Sequence, residues 1–178
     1  ERCLIVARET GDRVLASSAL VTLGTATFHG ERGDLAIHAL RRGLDVAVES
    51  GDARAEAYAS HRLGAVILSL GDPATARPYF ERAIALSDAL GHRSGALMSR
   101  GNLGLVHLDF GRLGRAREQF LLQLHSAEEL EHLPALNQAT ANLGLLDLAL
   151  GRPEDALIWI ERSLGYARAG TNPRAVQH

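Results

Sequence analysis

Cysteine and aromatic residues are scarce in this sequence. Its single cysteine, Cys3, cannot form an intramolecular disulfide, and a reducing, cytoplasmic location is expected. Neither sign of charge dominates, because 19 lysines and arginines face 21 aspartates and glutamates. We therefore expect no direct nucleic-acid partner, since no bulk positive field exists to attract one. The apolar runs are too short to cross a bilayer, so we expect no membrane partner.

Motifs for catalysis, cofactors and metals are also missing. The eight histidines include no i, i+4 pair, and a structural zinc site would in addition require cysteines. Two groups of basic residues, Arg41-Arg42 and Arg112, Arg115 and Arg117, are interpreted as solvated helix faces. We predict no catalytic residue, no metal site and no cofactor, and we expect the chain not to be an enzyme.

The sequence does contain an internal repeat with a period of 40 residues. A Leu-Gly pair recurs at Leu23-Gly24, Leu63-Gly64, Leu103-Gly104 and Leu143-Gly144. Small residues keep the same spacing at Ala36, Ala76, Ala116 and Ala156, and large apolar residues follow at Leu40, Phe80, Phe120 and Ile160. Two further series of glycines, each with one exception, bring the matching positions to five per period. Agreement at five positions over four copies indicates a repeat architecture.

Each period predicts two helices. First helices are expected at 12–28, 52–69, 92–109 and 132–149, and second helices at 34–49, 74–89, 114–129 and 154–168. The predicted fold is all-α, a right-handed superhelical solenoid of antiparallel helix pairs. Residues 1–178 are expected to form a single array, with repeats at 12–49, 52–89, 92–129 and 132–168. Residues 1–9 look like the end of a preceding helix and 172–178 like the start of a further one, so the native array is expected to continue in both directions.

The repeated glycine of the Leu-Gly pair predicts how the two helices of a repeat pack. A glycine inside a helix costs about 1 kcal/mol relative to alanine, so the same glycine in four first helices needs a repeated reason. We expect that the second helix crosses at this point and leaves no room for a side chain. The alanine series should provide the small facing residue, and the large apolar series should fill the space one turn further on.

The order of these residues resembles the tetratricopeptide repeat over essentially the whole chain. After the Leu-Gly pair come a glycine seven residues later, an alanine five residues after that, and a large apolar residue four further on. The 40-residue period and the Asn-Leu-Gly at 102–104 and 142–144 resemble the longer-helix members of the family. Those members include kinesin light chain and the helical arms of bacterial signal-transduction ATPase regulators. Segments 70–83 and 89–93 look most like the arms of actinobacterial regulators.

The resemblance implies a module that binds a protein or peptide. The expected context is the partner- or signal-sensing arm of a larger bacterial transcriptional regulator, with the ATPase and DNA-binding parts outside this chain. The alternative is a stand-alone adaptor that assembles enzymes or complexes, and the remote alternative is an enzyme whose active site lies in the groove. The neighbouring sequence on both sides would distinguish the regulator from the adaptor.

In such solenoids the first helices line a concave groove. By helical spacing, a protein or peptide ligand in this groove is expected to contact Tyr58, His61, Arg62, Met98, Arg100, Asn102, Leu105, Gln138, Asn142 and Leu145. The arginines and the histidine of this list should form a basic patch, and Gly101 should help to leave room for the guest chain. The two asparagines keep two interpretations. The resemblance implies contact with a peptide backbone, and the alternative is that both cap hydrogen bonds between helices.

The last predicted helix suggests a second kind of partner. Each repeat of a solenoid buries its apolar face on the next repeat. Leu157, Ile160 and Leu164 are therefore expected to be exposed unless something covers them. We expect this chain to self-associate through such ends.

Overall fold

The computed structural model describes residues 6–7, 10–30 and 32–171, and within these residues it contains helices joined by short turns and no β-strand. Eight helices, α1 to α8, follow one another as Arg13–His29, Gly33–Ser50, Ala53–Ser69, Pro73–Ala89, Arg93–Asp109, Leu113–Glu129, Leu133–Ala149 and Pro153–Thr171. Each predicted helix has a counterpart, and the all-α class is confirmed. The expected partial helices at 1–9 and 172–178 lie outside the described residues, except that residues 6–7 are helical.

Local chemistry explains where the helices begin. The carboxylates of Asp12, Asp52 and Asp72 accept hydrogen bonds from N–H groups in the following turn, as N-caps do. The bond from the backbone N–H of Thr75 lowers the pKa of Asp72 below its usual value. Helices α4 and α8 have proline as their first residue, where the missing N–H removes no intrahelical bond.

Two glycine series end the helices. All six glycines of these series have positive φ, between 63° and 85°. Three of them come where a second helix of the 40-residue period ends, at Gly11, Gly51 and Gly91, and three come after first helices, at Gly71, Gly111 and Gly151. This left-handed conformation is nearly free for glycine and strained for other residues. Glu131 occupies the same place after α6 with φ 49° and is the one non-glycine residue with positive φ in the described part of the chain.

The glycines of the Leu-Gly pairs lie at close helix crossings, as the sequence predicts. A Cβ on Gly24 would lie 2.6 Å from Cγ of Leu40, and one on Gly144 would lie 3.0 Å from Cγ1 of Ile160. A Cβ on Gly104 would overlap the ring of Phe120. The large apolar residue of each period therefore packs directly over the glycine, and the expected crossing is confirmed.

The helices divide into two compact units, residues 1–95 and 96–178, with the boundary in the first turn of α5. In the first unit, α1 packs on α2, α2 on α3, and α3 on α4. In the second unit, α6 packs on α7 and α7 on α8. The core of the second unit contains Leu97 of α5, Phe120 and Leu124 of α6, and Leu136 and Leu143 of α7. In both units the order of contacts follows the order of the chain, as in stacked helix pairs.

Candidate functional site

Three amide side chains from three helices of the second unit form a hydrogen-bonded row, which we call the amide row: Gln123, Gln138 and Asn102. Nε2 of Gln123 donates to Oε1 of Gln138 over 2.7 Å, and Nε2 of Gln138 donates to Oδ1 of Asn102 over 3.3 Å. Gln123 belongs to α6 and is fully buried, whereas Gln138 of α7 and Asn102 of α5 are partly exposed. The row therefore runs from the interior of the unit to its surface.

Gly101 makes room for this row. A Cβ at Gly101 would lie 2.6 Å from Oε1 of Gln123 and 2.8 Å from Oε1 of Gln138. The expectation that Gly101 keeps the floor of a groove open for a guest chain is therefore wrong, because the two glutamine amides fill that space. Gln123 is the member of the row that the sequence prediction missed.

The two predicted asparagines differ in their surroundings. Asn102 accepts the hydrogen bond from Gln138, so it makes the contact between helices that was one of the two interpretations of this residue. Its side chain is partly exposed, and its own N–H groups can donate to another acceptor. Asn142 is 8% exposed, and its enclosed Nδ2 has no hydrogen-bond partner among the described residues. Asn142 is therefore a polar group that lacks a partner among these residues, and an unpaired buried amide nitrogen destabilises the fold.

Apolar side chains accompany the amide row on α5 and α7. Met98 and Leu105 are partly buried and pack against the core of the second unit. Leu145, one turn beyond Ala141 on α7, is exposed. Arg100 is partly buried on α5. In the second unit the structure thus provides amides, apolar side chains and one arginine on two first helices.

The first unit holds the other three predicted residues on α3. Tyr58 is exposed, and Nε of Arg62 donates to Oγ1 of Thr25 on α1 over 3.2 Å. His61 is partly buried, with its ring centroid 6.2 Å from that of Phe80. Burial and, to a smaller extent, the neighbouring Arg62 lower the pKa of His61 to about 4. The predicted contribution of His61 to a basic patch is therefore wrong at neutral pH, where this side chain is uncharged.

An ion pair joins α6 and α7 where a solvated face is expected from the sequence. Nη2 of Arg117 donates to Oδ1 of Asp147, whose side chain is 2% exposed, while that of Arg117 is 34% exposed. Arg112 lies over the ring of Phe110, 5.2 Å from its centroid. Arg117 is thus part of the contact between repeats, and the prediction that the whole arginine group is solvated is wrong for this residue.

Neither a metal site nor a membrane span is found among the described residues. These residues contain no group of three or more histidine, cysteine, aspartate or glutamate side chains able to hold a metal ion. In the same part of the chain, no helix combines the length and the apolar composition that crossing a membrane requires.

Known proteins match this chain in family and in fold. Two family models described as tetratricopeptide repeat match residues 54–122 and 137–162. A search among curated proteins finds no significant match. Among solved structures, BtubC from P. vanneervenii is 20% identical, with a TM-score of 0.77 over 90% of this chain and 66% of that one. Aspartyl phosphate phosphatase F from Bacillus subtilis is 16% identical, with a TM-score of 0.79 over 90% of this chain and 42% of that one.

A third similar structure contains a ligand. The Rap conjugation gene regulator of the plasmid pLS20, solved in complex with a Phr peptide, is 20% identical, with a TM-score of 0.73 over 96% of this chain and 53% of that one. This chain spans between 42% and 66% of the length of these three relatives. At such identities the likeness concerns the fold. Residues 54–122 and 137–162 are therefore recognised as tetratricopeptide repeats.

Proposed function

We propose that this chain is a binding module for an extended peptide segment of another protein, and that it acts by binding rather than by catalysis. The proposed contact surface in the second unit comprises Met98, Arg100, Asn102, Leu105, Gln138, Asn142 and Leu145. In the first unit it comprises Tyr58, His61 and Arg62. The observation that carries the proposal is the amide row, which ends at the surface in Asn102 and Gln138.

The chemistry of the row suits a peptide backbone. An extended peptide offers one N–H donor and one C=O acceptor per residue, and a primary amide can pair with both. Gln138, which itself accepts a hydrogen bond from Gln123, donates to Asn102 and restrains its side chain, so less side-chain entropy remains to be lost when a ligand binds. Amide contacts to a backbone give affinity with little sequence selectivity. Selectivity would come from the apolar Leu105 and Leu145 and from Arg100, which favours a peptide with a carboxylate.

The similar fold of a Rap regulator in complex with a Phr peptide supports a peptide as the class of ligand. That protein is also a regulator, which supports the proposed context of a sensing arm in a larger bacterial transcriptional regulator. The competing context is an adaptor that assembles enzymes or complexes. In either context we propose a cytoplasmic protein that does not contact nucleic acid or membrane itself.

The experiment is a selection of peptides from a random-sequence library with the intact chain as bait, followed by calorimetric titration of the selected peptides. Asn102→Ala should weaken binding about two- to tenfold, because the hydrogen bond that is lost is worth roughly 0.5–1.5 kcal/mol. The melting temperature should stay within a degree or two of the parent, since Asn102 is partly exposed.

The matched control is Arg115→Ala, which removes an exposed side chain from α6. Arg117 is unsuitable for this purpose because of its ion pair with Asp147. If Arg115→Ala abolishes binding while Asn102→Ala leaves it unchanged, the ligand uses the outer helices and the proposal is refuted. Failure to select any peptide above background would count equally against it.

A further inference from the structure

Two adjacent leucines on the solvent-exposed side of α6 form what we call the leucine pair: Leu121 and Leu122. Their side chains are 44% and 41% exposed. Helix α6 is followed by another helix pair, α7 and α8, so this exposure does not depend on where the sequence ends. The leucine pair lies outside the core of the second unit, to which α6 contributes Ala116, Phe120, Leu124 and Ala127.

The other three repeats have charged residues at the two positions of the leucine pair. Both positions are exposed in all four repeats, so the packing of the solenoid does not require an apolar side chain there. Helix propensity does not explain the leucines either, because leucine, arginine and glutamate have nearly equal propensities. Two adjacent leucines in place of charges therefore indicate a contact outside the chain. The charged pairs are Arg41-Arg42, Glu81-Arg82 and Glu161-Arg162.

Charged residues flank the leucine pair at equal distances along α6. Three residues before the pair lies Glu118, and three residues after it lies His125. Six residues before it lies Arg115, and six residues after it lies Glu128. All four side chains are exposed. Because residues three, four and seven apart share one side of a helix, these four and the leucine pair form a continuous surface, which we call the leucine stripe.

The order of the charges along α6 is unfavourable for an isolated helix. Arg115 lies in its first turn and Glu128 and Glu129 in its last, whereas the helix dipole favours acidic residues at the start and basic residues at the end. Helix α8 has the favourable order, with Glu154 in its first turn and Arg168 in its last. A neighbouring helix that runs antiparallel to α6, with the same charge order, would place opposite charges side by side.

Two copies of the leucine stripe fit each other in this antiparallel arrangement. With a two-fold axis through the middle of the leucine pair, the leucines of the two copies meet. Arg115 then lies opposite Glu128 of the second copy, and Glu118 lies opposite His125. Glu128 also pairs with Arg162 of its own chain, and a carboxylate can accept from both arginines. A two-fold contact of this kind is self-complementary and closes at two copies.

We propose that the leucine stripe binds the leucine stripe of a second copy of this chain, with the two α6 helices antiparallel. One side of one helix offers less than the about 800 Å² that each partner contributes to a standard interface, so the dimer is a transient one. Its dissociation constant is on the order of 0.1–1 mM. No residue of the stripe belongs to the proposed peptide surface, so Asn102→Ala should dimerise like the parent.

Sedimentation equilibrium of the chain, from about 20 μM to about 1 mM, tests this proposal. We expect a monomer–dimer equilibrium in the parent. The double variant Leu121→Arg, Leu122→Arg should raise the dissociation constant at least tenfold, because it places four guanidinium groups at the centre of the contact. The same Arg-Arg pair is present at 41–42 with both residues exposed, so the helical content and melting temperature should stay close to those of the parent.

A reversal of charge tests the antiparallel pairing itself. Arg115→Glu should raise the dissociation constant about three- to tenfold, because two attractive pairs in the dimer become repulsive. The same substitution places an acidic residue in the first turn of α6, so the monomer should not lose stability. Adding Glu128→Arg restores opposite charges across the contact, and the dissociation constant should return to within about twofold of the parent value. A double variant that dimerises as weakly as Arg115→Glu would refute this pairing.

The matched control is Leu157→Arg, Leu164→Arg on α8, which replaces two exposed leucines that lie outside the leucine stripe. This variant should dimerise like the parent. A chain that remains monomeric at about 1 mM would overturn the proposal and leave the leucine pair for a different protein. Association that the α8 variant abolishes and the α6 variant leaves unchanged would also overturn it.

Discussion

Removing Arg117 should destabilise the protein more than removing its partner Asp147. The two side chains form an ion pair between α6 and α7, but their surroundings differ, because the carboxylate is 2% exposed and the guanidinium-bearing side chain is 34% exposed. Without Arg117 the carboxylate stays in the interior with its charge uncompensated. Without Asp147 the long arginine side chain can turn its charged end into water.

The expected magnitudes follow from this difference. Arg117→Ala should lower the free energy of unfolding by about 3–5 kcal/mol, the usual cost of leaving a buried charge unpaired. Asp147→Ala should lower it by about 1–2 kcal/mol, since it removes a charge-assisted hydrogen bond but leaves no buried charge. The double variant Arg117→Met, Asp147→Leu should recover most of the stability, because an apolar pair of similar volume often replaces a buried ion pair without loss.

Urea unfolding measures these free energies with two signals. Far-UV circular dichroism follows all helices, while the fluorescence of Trp159, the one tryptophan of the chain, follows the last repeat. Trp159 packs against the core that contains the α6–α7 contact, so its transition should shift with the pair. The two signals also show whether the repeats unfold together, which the two-state treatment requires. If Asp147→Ala costs as much as Arg117→Ala or more, the argument from unequal exposure is refuted.

Three further predictions concern packing, backbone conformation and pH. Gly104→Ala should lower the free energy of unfolding by about 1–3 kcal/mol, because the new Cβ meets the ring of Phe120. Gly114→Ala, in open space on α6, should instead raise the melting temperature by a few degrees. Equal effects of the two substitutions would refute the close helix crossing at Gly104. Glu131→Gly should stabilise the chain by about 0.5–1 kcal/mol, since it relieves the positive φ of a non-glycine residue, and an unchanged urea midpoint would contradict this. His61 has a pKa of about 4 in the folded state and 6.5 when unfolded, so between these pH values only the unfolded chain binds the proton. The free energy of unfolding should therefore be highest above pH 6.5 and should fall by about 3 kcal/mol as the pH drops to 4. His61→Gln should flatten this part of the stability–pH curve, and parallel curves for variant and parent would refute the assignment.

The helices were predictable because their signals are local and repeated. The caps at Asp12, Asp52 and Asp72 and the glycines that end the helices each act within one turn, and the period supplies four copies of the pattern. The close crossing at Gly104 was predictable for a related reason. A costly glycine repeated at one position implies a contact that recurs in every helix pair.

The candidate site was predictable only in part. The sequence indicates which residues of the first helices share a face, and Asn102 and Gln138 do meet. It did not indicate Gln123, which lies on a second helix at a position where the other repeats have Gly43, Ala83 and Ser163. The sequence did contain a sign of this contact: the repeat that has the large Gln123 on its second helix also has a glycine, Gly101, at the facing position of its first helix, which leaves room for the larger side chain.

The sequence by itself determined the repeat, the helix boundaries and the packing at the conserved spacing, because these depend on interactions within a turn or within one helix pair. Only the tertiary structure decided which polar groups are buried together. The amide row, the uncharged His61 and the pair of Arg117 with Asp147 all depend on distances between helices and on exclusion of water. Such properties follow from the packing of many side chains around each group, and a linear pattern contains no measure of that surrounding volume.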